Sequence, residues 1–127
     1  MHALIIAEKQ VNTNWINNPF VATGLSVNII KAHTMDEAVR LIMSVQFDLV
    51  MYDINFSEDS LSQNLKQISD ICCDAPLVVL TNQLGDPLTK VALNSGANYH
   101  IVKDQFDLSL MAKSLKTMLL KNTFNYN

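Results

Sequence analysis

Four side chains capable of chemistry stand at the ends of short apolar runs. Glu8 follows "ALIIA", Asp53 follows "LVMY", Thr81 closes "PLVVLT", and Lys103 follows "YHIV". A charge at the end of an apolar run is costly unless something uses it. Two carboxylates can hold a hard divalent cation such as Mg²⁺, which favours oxygen ligands and keeps several waters. A carboxylate can also act as a nucleophile toward phosphorus. The hydroxyl and ammonium can take up charge on the oxygens of a moving phosphoryl group. Plainer readings stand beside these: Asp53 as a loop cap, Glu8 as a solvated acid, Thr81 as a strand-end hydroxyl, Lys103 as a surface lysine paired with Asp104.

The chemistry requires the four residues to meet, and the surrounding sequence says how. The runs 3–7, 27–32, 47–52, 76–81 and 99–103 are short and rich in Val, Ile and Leu, as buried strands are. Helical periods separate them. Met35, Ala38, Val39 and Ile42 form one stripe, opened by Thr34 and Glu37 as a capping box. Leu61, Leu65, Ile68 and Cys72 form a second; Leu88, Val91 and Ala92 a third, with Asp86 as N-cap, Pro87 at the first helical position and Gly96 just past the end. Leu108, Met111, Ala112, Leu115, Met118 and Leu119 form the last. Between residues 9 and 24, four asparagines and Pro19 predict a helix that is short or bent near the proline. Strands alternating with helices predict an α/β fold: a five-stranded parallel sheet in a three-layer α/β/α sandwich. In such sheets chemistry gathers at the C-terminal strand ends, where all four residues fall.

Composition narrows the function classes. The chain has 127 residues, 49% hydrophobic and 17% charged, which suits one soluble domain. We expect a single domain over 1–127, folded to about residue 121, with 122–127 as a frayed tail. A net charge of −3 leaves no basic footprint for direct nucleic-acid binding. No run approaches a membrane span, and the apolar N-terminal stretch is too short for a signal peptide. Adjacent Cys72 and Cys73 make a poor disulfide and a poor metal site, so both are expected reduced, in a cytoplasmic protein. Trp15 is expected as a packing residue.

Taken in order, these segments resemble the receiver domain of two-component response regulators over nearly the whole chain, from Ala3 to about Leu120. "DLVMYDINFS" resembles the phosphoacceptor strand, "APLVVLTN" the fourth strand with its hydroxyl, and "SGANYHIVKD" the Gly-Ala turn, fifth strand and active-site lysine. Gly24 falls where the family often has a glycine before strand two. The resemblance implies a flavodoxin-like sheet of order 2-1-3-4-5. It implies Asp53 as phosphoacceptor, with Thr81 and Lys103 engaging the phosphoryl group and Mg²⁺ held by Glu8, Asp53 and the Asn55 carbonyl. It implies Thr81 and His100 as switch residues. The phosphodonor would be a histidine kinase or a histidine phosphotransfer protein. Output or dimerisation would use the face made by the fourth helix, fifth strand and last helix. As a signalling domain it would catalyse nothing beyond its own phosphorylation and dephosphorylation.

Departures from the family pattern are specific. The usual pair of acids after strand one reads Ala7-Glu8, and the loop "NFSEDSLS" after Asp53 lacks the usual Pro and Gly. Asn82 stands where a small residue usually follows the hydroxyl, His100 holds the aromatic switch position, and Asp104 replaces the proline after the lysine. A Lys-Asp pair there is familiar in response regulators that carry a helix-turn-helix output domain. Two alternatives stay open: a degenerate pseudo-receiver that docks partners unphosphorylated, and a flavodoxin-like flavin or nucleotide binder. The last would want a Gly- or Ser/Thr-rich phosphate loop after strand one, where "AEKQVNTN" has no glycine.

Overall fold

The computed structural model describes residues 1–56, 58–72, 74–103 and 107–124; Cys73, Asp104 and the tail residues 125–127 lie outside the described residues. Five strands form one parallel sheet: β1 (His2–Ile6), β2 (Asn28–Ala32), β3 (Leu49–Asp53), β4 (Leu77–Thr81) and β5 (Tyr99–Val102), in the order β2-β1-β3-β4-β5. The helices are α1 (Asn17–Ala22), α2 (Met35–Ser44), α3 (Leu61–Ile71), α4 (Pro87–Asn94) and α5 (Leu108–Phe124), with 3-10 turns at Asn14–Ile16 and Glu58–Ser60.

The strand sequences explain their places. Every residue of β3 and β4 is buried, and four of the five in β1, so these three uninterrupted apolar strands fill the middle of the sheet. β2 and β5 are partly exposed and form the edges. Alternation along the strands divides the core in two. Leu4, Ile6, Val50, Tyr52 and Val79 pack under α2, α3 and α4 through Ala38, Leu65, Ile68 and Ala92. Ala3, Ile5, Leu49, Met51, Val78 and Leu80 pack under α1 and α5 through Phe20, Met111, Leu115 and Leu119. Trp15 is half-buried against this second cluster.

Caps form where local sequence dictates. Thr34 accepts a hydrogen bond from the Glu37 amide at 3.1 Å. The Glu37 carboxylate accepts from the amide of His33, one residue before the cap, at 2.7 Å. Asp86 accepts from the Leu88 amide at 3.0 Å, with Pro87 opening α4. α1 is short, and Pro19 lies in its first turn, where a missing N–H costs nothing. Two stripe residues differ from expectation. Val91 and Leu108 are exposed, because α4 turns Leu88 and Ala92 inward and α5 begins its buried face at Met111.

Gly96 fixes the approach of the segment before β5 to α3. Its φ is +121°, and a Cβ there would sit 2.6 Å from the Ser69 Cβ. Backbone strain and a clash with a short, inflexible side chain act together, so we expect Gly96→Ala to cost about 2 kcal/mol. A urea melt that leaves the midpoint unchanged would show that α3 can move aside freely.

Candidate functional site

The four strand-end residues lie along one end of the sheet. Asp53 ends β3 and is 2% exposed. Its Oδ2 lies 3.1 Å from Lys103 Nζ, and its Oδ1 accepts from the Asn55 amide at 2.9 Å. The main chain of Asp53 also fixes the turn that follows it. The Ile54 amide donates to the Leu80 carbonyl at 2.9 Å, and the Phe56 amide donates to the Asp53 carbonyl at 2.9 Å.

Lys103 is held by the sheet itself. Its amide donates to the Thr81 carbonyl at 2.8 Å, continuing the β4–β5 pairing one residue past Val102. That register aims its side chain at Asp53, and the ammonium keeps some contact with water, its side chain being 19% exposed. Thr81 ends β4, fully buried, and its hydroxyl donates to the Ile101 carbonyl at 3.4 Å. In this conformation the hydroxyl is therefore turned toward β5. His100 is exposed on β5, opposite Val79 in the register.

The β1 end is differently occupied. Glu8 is half-buried, and its carboxylate accepts from Gln10 Nε2 at 2.6 Å. Ala7 is buried, its amide bonded to the Ala32 carbonyl at 3.1 Å. The Ala7 carbonyl lies 3.1 Å from His33 Nδ1. A carbonyl only accepts, so Nδ1 carries a proton in that contact.

Two arrangements at the site were not visible in the sequence. Asn55 and Asn82 pair their side-chain amides reciprocally: Asn55 Nδ2 donates to Asn82 Oδ1 at 3.1 Å, and Asn82 Nδ2 donates to Asn55 Oδ1 at 2.9 Å. The pair ties the turn after β3 to the end of β4. Beneath the turn, the buried Tyr52 hydroxyl donates to the Phe56 carbonyl at 2.8 Å and accepts from Asn64 Nδ2 at 3.1 Å. Burial pushes the Tyr52 hydroxyl above its usual range; Asn64's hydrogen bond opposes this, while the nearby Asp53 charge reinforces it. In the sequence Tyr52 fits the strand pattern as an apolar residue, and no local signal distinguishes its hydroxyl.

The donor set suits a hard cation. Among the described residues no three His, Cys, Asp or Glu side chains cluster for a metal ion. Of the residues that the resemblance implies for a cation, Asp53 and Asn55 adjoin at the end of β3, while Glu8 follows β1 with its carboxylate on Gln10. One or two carboxylates plus several waters is how Mg²⁺ is commonly held. The Lys103 ammonium, 3.1 Å from the Asp53 carboxylate, sets one positive group against a buried carboxylate at the C-terminal end of the sheet.

No family model and no curated protein sequence matches the chain. Solved structures do match. A two-component response regulator from Clostridium difficile superposes with a TM-score of 0.77 at 24% identity, covering 96% of this chain and 98% of that one. A response regulator from Thermotoga maritima gives 0.76 at 23%, covering 93% and 96%. The receiver domain of a sensor histidine kinase from Pseudomonas aeruginosa PAO1, solved with magnesium in its active-site cleft, gives 0.75 at 17%, covering 93% and 96%. The fold is therefore the flavodoxin-like receiver fold, with the strand order expected from sequence. Among the described residues no helix is long and apolar enough to cross a membrane.

Proposed function

We propose that this chain is a receiver domain of a two-component response regulator, phosphorylated on Asp53. The observation that carries the reading is the buried Asp53–Lys103 contact of 3.1 Å at the C-terminal end of a receiver-type sheet. A buried carboxylate is expensive to keep, and a lysine on a different strand compensates it in the geometry that charge neutralisation of a phosphoryl group needs.

In this reading a histidine kinase or a histidine phosphotransfer protein presents phosphohistidine. An Asp53 carboxylate oxygen attacks phosphorus; the P–N bond breaks, its electron pair stays on the imidazole, and the ring nitrogen is protonated from solvent. The Asn55 amide holds the other carboxylate oxygen and aims the attack. Lys103 moves from the free carboxylate to the phosphoryl oxygens. Thr81 releases the Ile101 carbonyl and donates to the phosphoryl group, which alters the end of β4. With His100, that change is relayed to the face of α4, β5 and α5, where an output domain or second copy docks. Bound by Glu8, Asp53 and the Asn55 carbonyl, Mg²⁺ supplies positive charge against the phosphoryl oxygens. The reading places the protein in the cytoplasm, with no turnover beyond its own phosphorylation and dephosphorylation.

Two observations favour a second reading, an unphosphorylated pseudo-receiver that works as a docking module. Ala7 brings no charge to the site, and Asn82, where a small residue is usual, is bonded side chain to side chain with Asn55 beside Asp53. Intact mass decides. Incubation with Mg²⁺ and acetyl phosphate or phosphoramidate is expected to add one phosphoryl group. No gain under conditions that fully modify a control receiver would leave the docking module as the function.

A further inference from the structure

We propose that Tyr52 is a positioning residue of the phosphoacceptor site, its buried hydroxyl fixing the turn that carries Asn55 beside Asp53. The proposal rests on the phosphoacceptor reading for its consequence, though not for its geometry. The position needs only apolar bulk for packing: Tyr52 is fully buried among Ile54, Leu61 and Leu65 on the face of β3 opposite Asp53. A phenylalanine would fill it without a polar atom to desolvate. The hydroxyl is kept, and it uses both its donor and an acceptor site, giving to the Phe56 carbonyl and taking from Asn64 in the first turn of α3.

What the hydroxyl holds is the turn of residues 53–56. Asn55 N–H aims the Asp53 carboxylate, and Phe56 N–H is tied to the Asp53 carbonyl. The Phe56 ring stands edge-on to the Tyr52 ring, centroids 5.4 Å apart at 87°. The segment from Ile54 to Ser60 contains neither Pro nor Gly, so no residue with a preset backbone defines the turn. The Tyr52–Phe56 clamp defines it from below, and the Asn55–Asn82 pair from the side. Loss of the hydroxyl leaves the Phe56 carbonyl and the Asn64 amide without this partner, and a loosened turn misplaces both the Asn55 amide and its carbonyl.

The test uses Tyr52→Phe in the full chain, with Ile68→Val as a packing control in the same cluster. Amide hydrogen exchange is expected to speed up at Asn55 and Phe56 by about tenfold more than at Val50 and Met51 in β3, the effect of one lost buried hydrogen bond. Titration with Mg²⁺ alone should weaken by about three- to tenfold, and phosphoryl gain should slow in step. Asn64→Leu, which keeps the Tyr52–Phe56 bond but removes its steering, should move the same readouts less. Ile68→Val should lower stability while leaving Asn55 exchange and Mg²⁺ affinity where they were. If Tyr52→Phe behaves like Ile68→Val, the hydroxyl is merely structural and the proposal is overturned. If the parent protein gains no phosphoryl group, the phosphoacceptor reading fails, and exchange at Asn55 and Phe56 alone still decides the role of Tyr52.

Discussion

Asp53→Asn is expected to abolish the gain of phosphoryl mass entirely while leaving the protein folded. The amide oxygen carries no formal charge and is a poor nucleophile toward phosphorus, so the bond-forming step is lost rather than slowed. The fold tolerates the exchange for a different reason. An asparagine oxygen can still accept from the Asn55 amide, so that hydrogen bond survives. The lost partner is Lys103, whose side chain is 19% exposed and can turn its ammonium to water. The net change in stability is therefore expected to stay within about 1 kcal/mol, well short of the cost of stranding a fully buried charge. Intact mass and a urea melt on the same sample check both halves. Mass gain that survives Asp53→Asn would identify another nucleophile, with Glu8 first in line. Unfolding of the variant would show that the Asp53–Lys103 pair is chiefly structural.

What could be read from the sequence was what local pattern determines. The alternation of β-branched runs with helical stripes gave the layers, the resemblance to receiver domains gave the strand order, and the structure sets the most buried strands, β1, β3 and β4, in the middle of the sheet. Strand order then brought Lys103 to Asp53 across fifty residues, because both stand at C-terminal strand ends of a parallel sheet. The caps at Thr34 and Asp86 were legible since each is satisfied within four residues. What stayed hidden depends on side-chain direction. Nothing in the spacing of Asn55 and Asn82 shows that their amides meet. The Glu37 carboxylate was expected to complete a capping box on Thr34, yet it reaches the His33 amide. Val91 and Leu108 fit helical periods but lie on exposed arcs, since a period fixes a stripe's direction only relative to its own helix. The Tyr52 hydroxyl is the extreme case: an apolar-pattern reading discards the one atom that matters there.

Ala7→Asp tests the charge missing from the site. β1 and β3 pair Ala3 with Leu49 and Ile5 with Met51, so the register continued by one same-face step sets residue 7 beside Asp53. The backbone there cannot retreat, its amide held by Ala32 and its carbonyl by the His33 ring. Ala7 is 3% exposed, so a new carboxylate enters a nearly water-free position next to an existing one. At about 5 Å and an effective dielectric of about 20, that repulsion is worth about 3 kcal/mol. Without metal, the variant is expected to lose about 2–3 kcal/mol of stability at neutral pH. The deficit has a definite sign with pH. Repulsion raises the folded-state pKa of the added carboxyl above its unfolded value, so the loss grows as pH rises through the carboxylate range and fades below it. With Mg²⁺ the same charge attracts. Repulsion from Asp53 and desolvation take back most of the gross gain, leaving about tenfold tighter binding, or about 1.4 kcal/mol. Saturating Mg²⁺ should therefore restore much of the lost stability, since only the folded state binds it well. Calorimetric titration and urea melts with and without Mg²⁺ read both effects. Unchanged Mg²⁺ affinity together with unchanged stability would mean that residue 7 does not face Asp53 and that the β1–β3 register ends at Ile6. Lost stability that Mg²⁺ does not restore would mean that Asp53 and Glu8 do not form a cation site.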